Sequence, residues 1–204
     1  MVSIDRSAPV VCVLEIEIGA SPDQVWAILT NVAGWVDWME PITSARLEGP
    51  LAPGSIIHWS VAGVDISVAE KDIPSKLVDV EPGRRLAWQG AAAGLTGTHV
   101  WEFEPSSTGT KLTNSESIFG AEDPAKDTIE LETFLRHWNA QLKATVEQCY
   151  GGGDSRRKTG DATELAHHHA RPPAIPDDAH QEGESVVDQD NFGALARHYP
   201  LLIK

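Results

Sequence analysis

The stretch THVWEFEP, residues 98–105, places a histidine and two large aromatics on alternate positions, His99, Trp101 and Phe103, with Val100, Glu102 and Glu104 between them. Alternation of that period marks a strand with one buried face, so the imidazole falls on the core side. The run TKLTNSESIFG follows after a turn at SSTG, and the two runs read as a hairpin. Its register is limited by what it would bury, because a slip of one residue turns every side chain over. Pairing Phe103 with Lys111 would put a lysine in the core. Pairing Phe103 with Leu112 instead sets Trp101 opposite Asn114 and His99 opposite Glu116. Directly opposed side chains stand about 4.5–5.5 Å apart at Cβ. A histidine and a carboxylate at that spacing, away from water, perturb each other's proton affinity and are candidates for general acid and base. The same pair could equally satisfy two buried polar groups and nothing more, or orient a ligand without chemistry.

Other chemistry is poorly served. The three consecutive histidines at 167–169 lie in a polar stretch with nothing to hold them in a ligand geometry, so no metal site is expected. No glycine-rich phosphate loop, GxSxG or HExxH occurs, and no cofactor is implied. Cys12 and Cys149 are far apart and outside any CxxC spacing, which fits a reducing, cytoplasmic setting. The first twenty residues have too short an apolar run, broken by Glu15 and Glu17, for a signal peptide or a membrane span. With 16 Lys and Arg against 30 Asp and Glu, the formal charge is -14, which disfavours nucleic acid and anionic membrane as partners. Nothing in the pattern sets an oligomeric state.

The elements that must carry the pair are legible around it. VVCVLEIEI, residues 10–18, passes from an apolar run to alternation, as a strand with one wet face does. In SPDQVWAIL, Ser21 as N-cap, Pro22 at the first helical position and Gln24 three residues on predict a helix start. Gly34 interrupts it, and WVDWME before Pro41 reads as a second short helix or turn. Strands are then expected at ITSARLEG, SIIHWSVAG, ISVAEKDIPSKLVDVE and RRLAWQG, ahead of the two that hold His99 and Glu116. Their spacing predicts consecutive antiparallel pairing, with Pro74 marking an edge or bulge.

The last element is the strongest. From Asp123 as N-cap and Pro124, an apolar stripe of Leu131, Phe134, Leu135, Trp138, Leu142 and Val146 recurs at three and four residues. Such a stripe must be laid on the sheet's inner face. Composition then breaks at CYGGGDSRRKTGD. The expected organisation is an N-terminal extension at 1–9, one domain at 10–150, and a disordered tail at 151–204 with a short helix or docking motif near 190–199.

Taken in order, SPDQVWAILTNVAGWVDW, PGSIIHWS, VDVEPGRRLAWQG, THVWEFEP, KLTNSESIFG and HWNAQLKATVE resemble the START-like (SRPBCC) superfamily, and within it the polyketide cyclase/dehydrase and lipid-transport group. The resemblance implies an α+β helix-grip fold: a curved antiparallel sheet of about seven strands around a long C-terminal helix, with two short helices after the first strand. It also implies a deep cavity between sheet and helix for a mostly apolar ligand. Trp59, Trp88 and Trp101 share the inward alternation on three strands, and with Asn114, Phe134, Trp138 and Leu142 they are candidate ligand contacts. Trp35, Trp38 and Met39, near the family's cavity mouth, are candidates for its gate. Such aromatic surface suits a flat, hydrophobic, polyketide-like molecule. The functional readings are a cofactor-independent cyclase or dehydratase using His99 and Glu116, a carrier or sensor without chemistry, and an interaction protein that recruits a partner through its tail.

Overall fold

Strand β1 (Val10–Ile18) is followed by α1 (Pro22–Thr30), a single 3-10 turn at Val32–Gly34 and the one-turn helix α2 (Trp35–Trp38). Six strands come next: β2 (Ile42–Glu48), β3 (Ile56–Val61), β4 (Ile73–Glu81), β5 (Arg85–Ala92), β6 (Leu95–Ser106) and β7 (Gly109–Phe119), before the long helix α3 (Pro124–Tyr150). This computed structural model describes residues 1–61, 73–92 and 94–151. The start of the long run expected at 66–81, the three histidines, and the tail with the short helix expected near 190–199 lie outside the described residues.

The start of α1 is set by local chemistry. The Ser21 backbone N–H donates to Gln24 Oε1 at 2.9 Å, and Pro22 fills a position whose own N–H would be unpaired. Helix α3 begins with the reciprocal contact, the Lys126 N–H donating to the carboxylate of the N-cap Asp123 at 3.2 Å. At 27 residues α3 runs for about seven turns.

All seven strands form one antiparallel sheet in the order β1-β7-β6-β5-β4-β3-β2. It is a meander from β2 to β7, closed by β1 on the far side of β7. Phe103 pairs with Leu112, Trp101 with Asn114 and His99 with Glu116, the register that keeps Lys111 outside. Pro74 behaves differently from expectation. It lies second in β4, an interior strand, opposite His58 and one residue before pairing with β5 begins at Ser75. The irregularity in β4 falls later, between Leu77 and Asp79. A proline at the mouth of a strand removes no N–H that β5 needs.

The concave face and α3 share the core. Leu131, Phe134, Leu135, Trp138, Leu142 and Val146 are all buried along one side of the helix, packed with Trp35, Trp59, Trp88, Trp101 and Leu112. At the hairpin between β6 and β7, Gly109 has φ of 143° and a Cβ there would meet Ile18 O at 2.2 Å. Only glycine lets that turn close on the end of β1.

Residues before β1 run over the outer face of the sheet. The Val2 N–H donates to Asp79 at 3.1 Å, the Val2 carbonyl accepts from Arg85, and the Asp5 N–H donates to Ser117 Oγ at 3.1 Å. Arg85 is itself buried between Asp79, at 3.3 Å, and Glu102. A buried guanidinium needs such partners, because an unpaired charge there costs several kcal/mol (about 3–5).

Candidate functional site

Two adjacent rows of inward side chains cross the sheet. In the first, Leu14, Asn114, Trp101, Leu86 and Val80 stand on β1, β7, β6, β5 and β4. In the second, two residues along each central strand, stand Cys12, Glu116, His99, Trp88 and Leu77. The second row is where the chemistry lies. His99 is 2% exposed. Its ring stacks on Trp101 with centroids 5.1 Å apart, lies 4.6 Å from Trp88, and meets the edge of Trp138 at 5.7 Å.

Both imidazole nitrogens have partners. Nε2 is 2.6 Å from Asn114 Oδ1, and Nδ1 is 3.3 Å from Glu116 Oε2. The Asn114 amide continues inward, its Nδ2 donating to Asn139 Oδ1 on α3 at 2.8 Å. An amide oxygen only accepts, so the Nε2 contact requires a proton on that nitrogen. Burial disfavours charge on both members of the pair. It pushes His99 down to about 3, against a smaller upward pull from Asn114, and pushes Glu116 up to about 8. The favoured state at neutral pH is therefore a neutral imidazole beside a largely protonated carboxyl. Cys12, buried and next to Glu116 on β1, is raised to about 11 by burial and then by the negative charge of Glu132 and Glu116.

A pocket of about 50 Å³ opens beside the pair. Its walls are Trp59, Ile73, Ser75, Trp88, Leu95, His99, Glu116 and Ile118, with a floor of small residues at Gly90, Ala91, Ala92 and Gly97. Gly90 and Gly97 face each other across β5 and β6. A Cβ on Gly97 would stand 3.2 Å from Glu116 Oε1, and one on Gly90 would stand 3.0 Å from Ser75 Oγ. Ser75 in turn accepts from Trp59 Nε1 at 3.0 Å, which ties that indole to β4. No lysine or arginine is among the described lining residues.

The residues singled out from sequence divide between this pocket and the core. His99, Glu116, Trp59 and Trp88 line it. Asn114 is wholly buried behind His99. Trp101, Trp138, Phe134 and Trp35 form an aromatic cluster beside it, with Trp138 touching Trp35, Trp59, Trp88, Trp101 and Phe134 at 5.3–6.3 Å. Met39 and Leu142 are fully buried, and Trp38 is half-buried at the core's edge. The described pocket, walled by two of these indoles, Trp59 and Trp88, is small. At about 50 Å³ it holds a few water-sized groups or one end of a ligand, where about 15 Å³ suffices for a single water.

Asn139, Ser75 and the glycine pair escape a reading of sequence. Asn139 carried one weak signal, since it lies four residues after Leu135 on the buried stripe and interrupts its apolar character. The run QGAAAGLTG, poor in side-chain volume where two strands meet, was the corresponding signal for the floor.

A seven-stranded antiparallel sheet gripping one long helix, with a pocket on its concave side, defines a helix-grip domain. The chain belongs to the family described as polyketide cyclase / dehydrase and lipid transport, whose model matches residues 9–149. Solved structures share the fold at low identity. Protein jhp0584 of Helicobacter pylori is 16% identical, with a TM-score of 0.59 over 72% of this chain and 97% of that one. Ara h 8.0201 is 13% identical, with a TM-score of 0.57 over 68% and 97%. DynU16, a protein of the dynemicin biosynthetic locus, is 18% identical, with a TM-score of 0.55 over 68% of this chain and 48% of that one. No curated protein matches the chain. Among the described residues, no helix is long and apolar enough to cross a membrane.

Proposed function

We propose that the domain binds a hydrophobic, uncharged small molecule, seating an oxygen-bearing end in the pocket against Glu116 and His99. The observation that carries this reading is the pair itself: a carboxyl and an imidazole 3.3 Å apart on an otherwise aromatic and aliphatic wall. Among the described residues, the lining offers an anionic ligand no lysine or arginine, and His99 is held neutral by burial. The family's description, which joins cyclases with lipid transport, agrees with a hydrophobic ligand.

The position of the Glu116 titration favours a second, catalytic reading. A carboxyl raised to about 8 is an acid at neutral pH that has a proton to give. In an aldol-type closure of a polyketone, Glu116 would protonate the accepting carbonyl oxygen as the enol carbon bonds to its carbon, and the carboxylate would take back the enol O–H proton. In the water loss that follows, Glu116 would protonate the departing hydroxyl and then remove the α-proton. Each step returns the carboxyl to its starting state. His99 would hold the protonated carboxyl in place by accepting from its O–H at Nδ1.

Native mass spectrometry of the protein isolated from its source cells tests the binding reading. A retained uncharged small molecule, lost when Gly97→Ala fills the pocket, is the expected result. A retained fatty acid or other anion would overturn it. For the catalytic reading, turnover of the retained molecule should fall at least a hundredfold in Glu116→Gln; undiminished turnover would remove Glu116 from the reaction, and no turnover by the wild type leaves a carrier.

A further inference from the structure

Three side chains form a directional chain behind the pocket: Asn139 on α3, Asn114 on β7 and His99 on β6. Asn139 Oδ1 accepts from Asn114 Nδ2 at 2.8 Å, and Asn114 Oδ1 faces His99 Nε2 at 2.6 Å. Asn139 is 3% exposed and Asn114 is fully buried, so both contacts are shielded from bulk solvent. Were the Asn114 amide turned over, its NH₂ would face the imidazole and its oxygen would face the Asn139 oxygen. The first would demand a bare Nε2 and the second would set two acceptors against each other. Two acceptors buried together are strongly disfavoured.

We infer that Asn139 is a positioning residue for the pocket: by holding Asn114 in one amide orientation, it fixes the proton of His99 on Nε2 and turns the bare Nδ1 toward Glu116. A neutral imidazole in that tautomer can only accept at Nδ1, so the mobile proton of the pair resides on the carboxyl, next to the pocket. The polarity of the site is thus imposed from the helix. Removing the Asn139 oxygen frees Asn114 to rotate, and the alternative imidazole, with its proton on Nδ1 and an anionic Glu116 as acceptor, becomes competitive. The neighbouring groups that bear on this balance are Cys12 on β1, and Glu132 and Arg136 on α3, which act on that thiol. From β5, β6 and α3 the ring itself meets Trp88, Trp101 and Trp138, which carry no charge.

The inference extends the binding reading but is tested without a ligand. Long-range ¹H–¹⁵N spectra of the full-length protein at about pH 6 distinguish the two imidazole tautomers directly, with His99→Gln assigning the signal. In the wild type, Nε2 should be protonated and Nδ1 bare. Asn139→Leu should convert this signal to a mixture or to the Nδ1–H form. Asn139→Asp, which keeps an acceptor toward Asn114, should retain the wild-type pattern. A wild-type signal of the Nδ1–H type overturns the inference, as does an unchanged tautomer in folded Asn139→Leu. If that variant does not fold, Asn139→Ser, whose hydroxyl is too short to reach Asn114, serves the same purpose. A confirmed tautomer in a protein that retains no small molecule would sink the binding reading and leave the positioning role intact.

Discussion

Two rows of the concave face, one step apart on the same strands, have opposite characters. The row through Leu14, Asn114, Trp101 and Leu86 is sealed: Trp101 is fully buried and lies 5.6 Å from Trp138, itself fully buried. The row through Cys12, Glu116, His99 and Trp88 borders open space. The backbone is the same in both, so the difference lies in what stands beyond the row. Trp138 of α3 meets both rows, but the open one is also flanked by Gly90 and Gly97, which offer no side chain. A helix-grip domain is thus closed or opened locally by the volumes of a few residues, with no change of fold. Even the indole N–H groups show the contrast. Those of Trp101 and Trp138 are enclosed without a hydrogen-bond partner among the described residues, while that of Trp59, on the pocket wall, has Ser75.

The comparison can be broken most forcefully from the sealed side. Trp138→Ala should lower stability by about 3–5 kcal/mol in chemical denaturation, since a side chain this enclosed leaves a void that its neighbours cannot fill. A loss below about 1 kcal/mol would mean that the aromatic cluster is loosely packed.

On the open side, the expected effect depends on pH. Glu116 has a folded value of about 8 against 4.5 for an unburied carboxyl. Its contribution is intact below the lower value and is lost as pH rises toward the upper one, because the unfolded chain gives up its proton first. His99, held at about 3 against 6.5, loses its contribution as pH falls from the upper value to the lower. The pair therefore favours folding most strongly between the two unfolded values, 4.5 and 6.5. Glu116→Gln should raise stability relative to wild type on the order of 2 kcal/mol near pH 8, with little difference near pH 5. A pH-independent difference between the two proteins would mean that Glu116 ionises normally.

Smaller effects sharpen the boundary between the rows. Ser75→Ala leaves Trp59 Nε1 without its acceptor and should cost about 1–2 kcal/mol, with a change in tryptophan fluorescence. Gly97→Ala should change stability by less than about 1 kcal/mol, because the added methyl meets Glu116 Oε1 at 3.2 Å and lies 3.9 Å from Ile118 Cγ1 and Ser117 O. Its effect should appear in ligand retention instead.

Much of this was readable from residue order. The hairpin register follows from alternation, because the competing register would bury Lys111, and it alone brings His99 to Glu116. The buried stripe of α3 followed from its three-and-four spacing. What resisted was whatever depends on distances between elements. Asn139 is one polar residue on an apolar stripe, and nothing local shows that its partner is Asn114, twenty-five positions away. The size of the pocket resisted too. Inward tryptophans can line a cavity or fill it, and periodicity is the same for both. The attachment of residues 1–9 to Asp79, Arg85 and Ser117 left no periodic trace at all.

The two cysteines offer a clock for the opening of the sheet. Cys12 is locked within edge strand β1 with its thiol held protonated, whereas Cys149 is exposed near the end of α3. Alkylating reagents attack the thiolate of an accessible cysteine, so in the native protein Cys149 should be modified promptly. Cys12 should wait until β1 peels away from β7. The interval between the first and second adduct, followed by intact mass, would report how often the edge beside Glu116 comes undone, using only the protein's own sulfur.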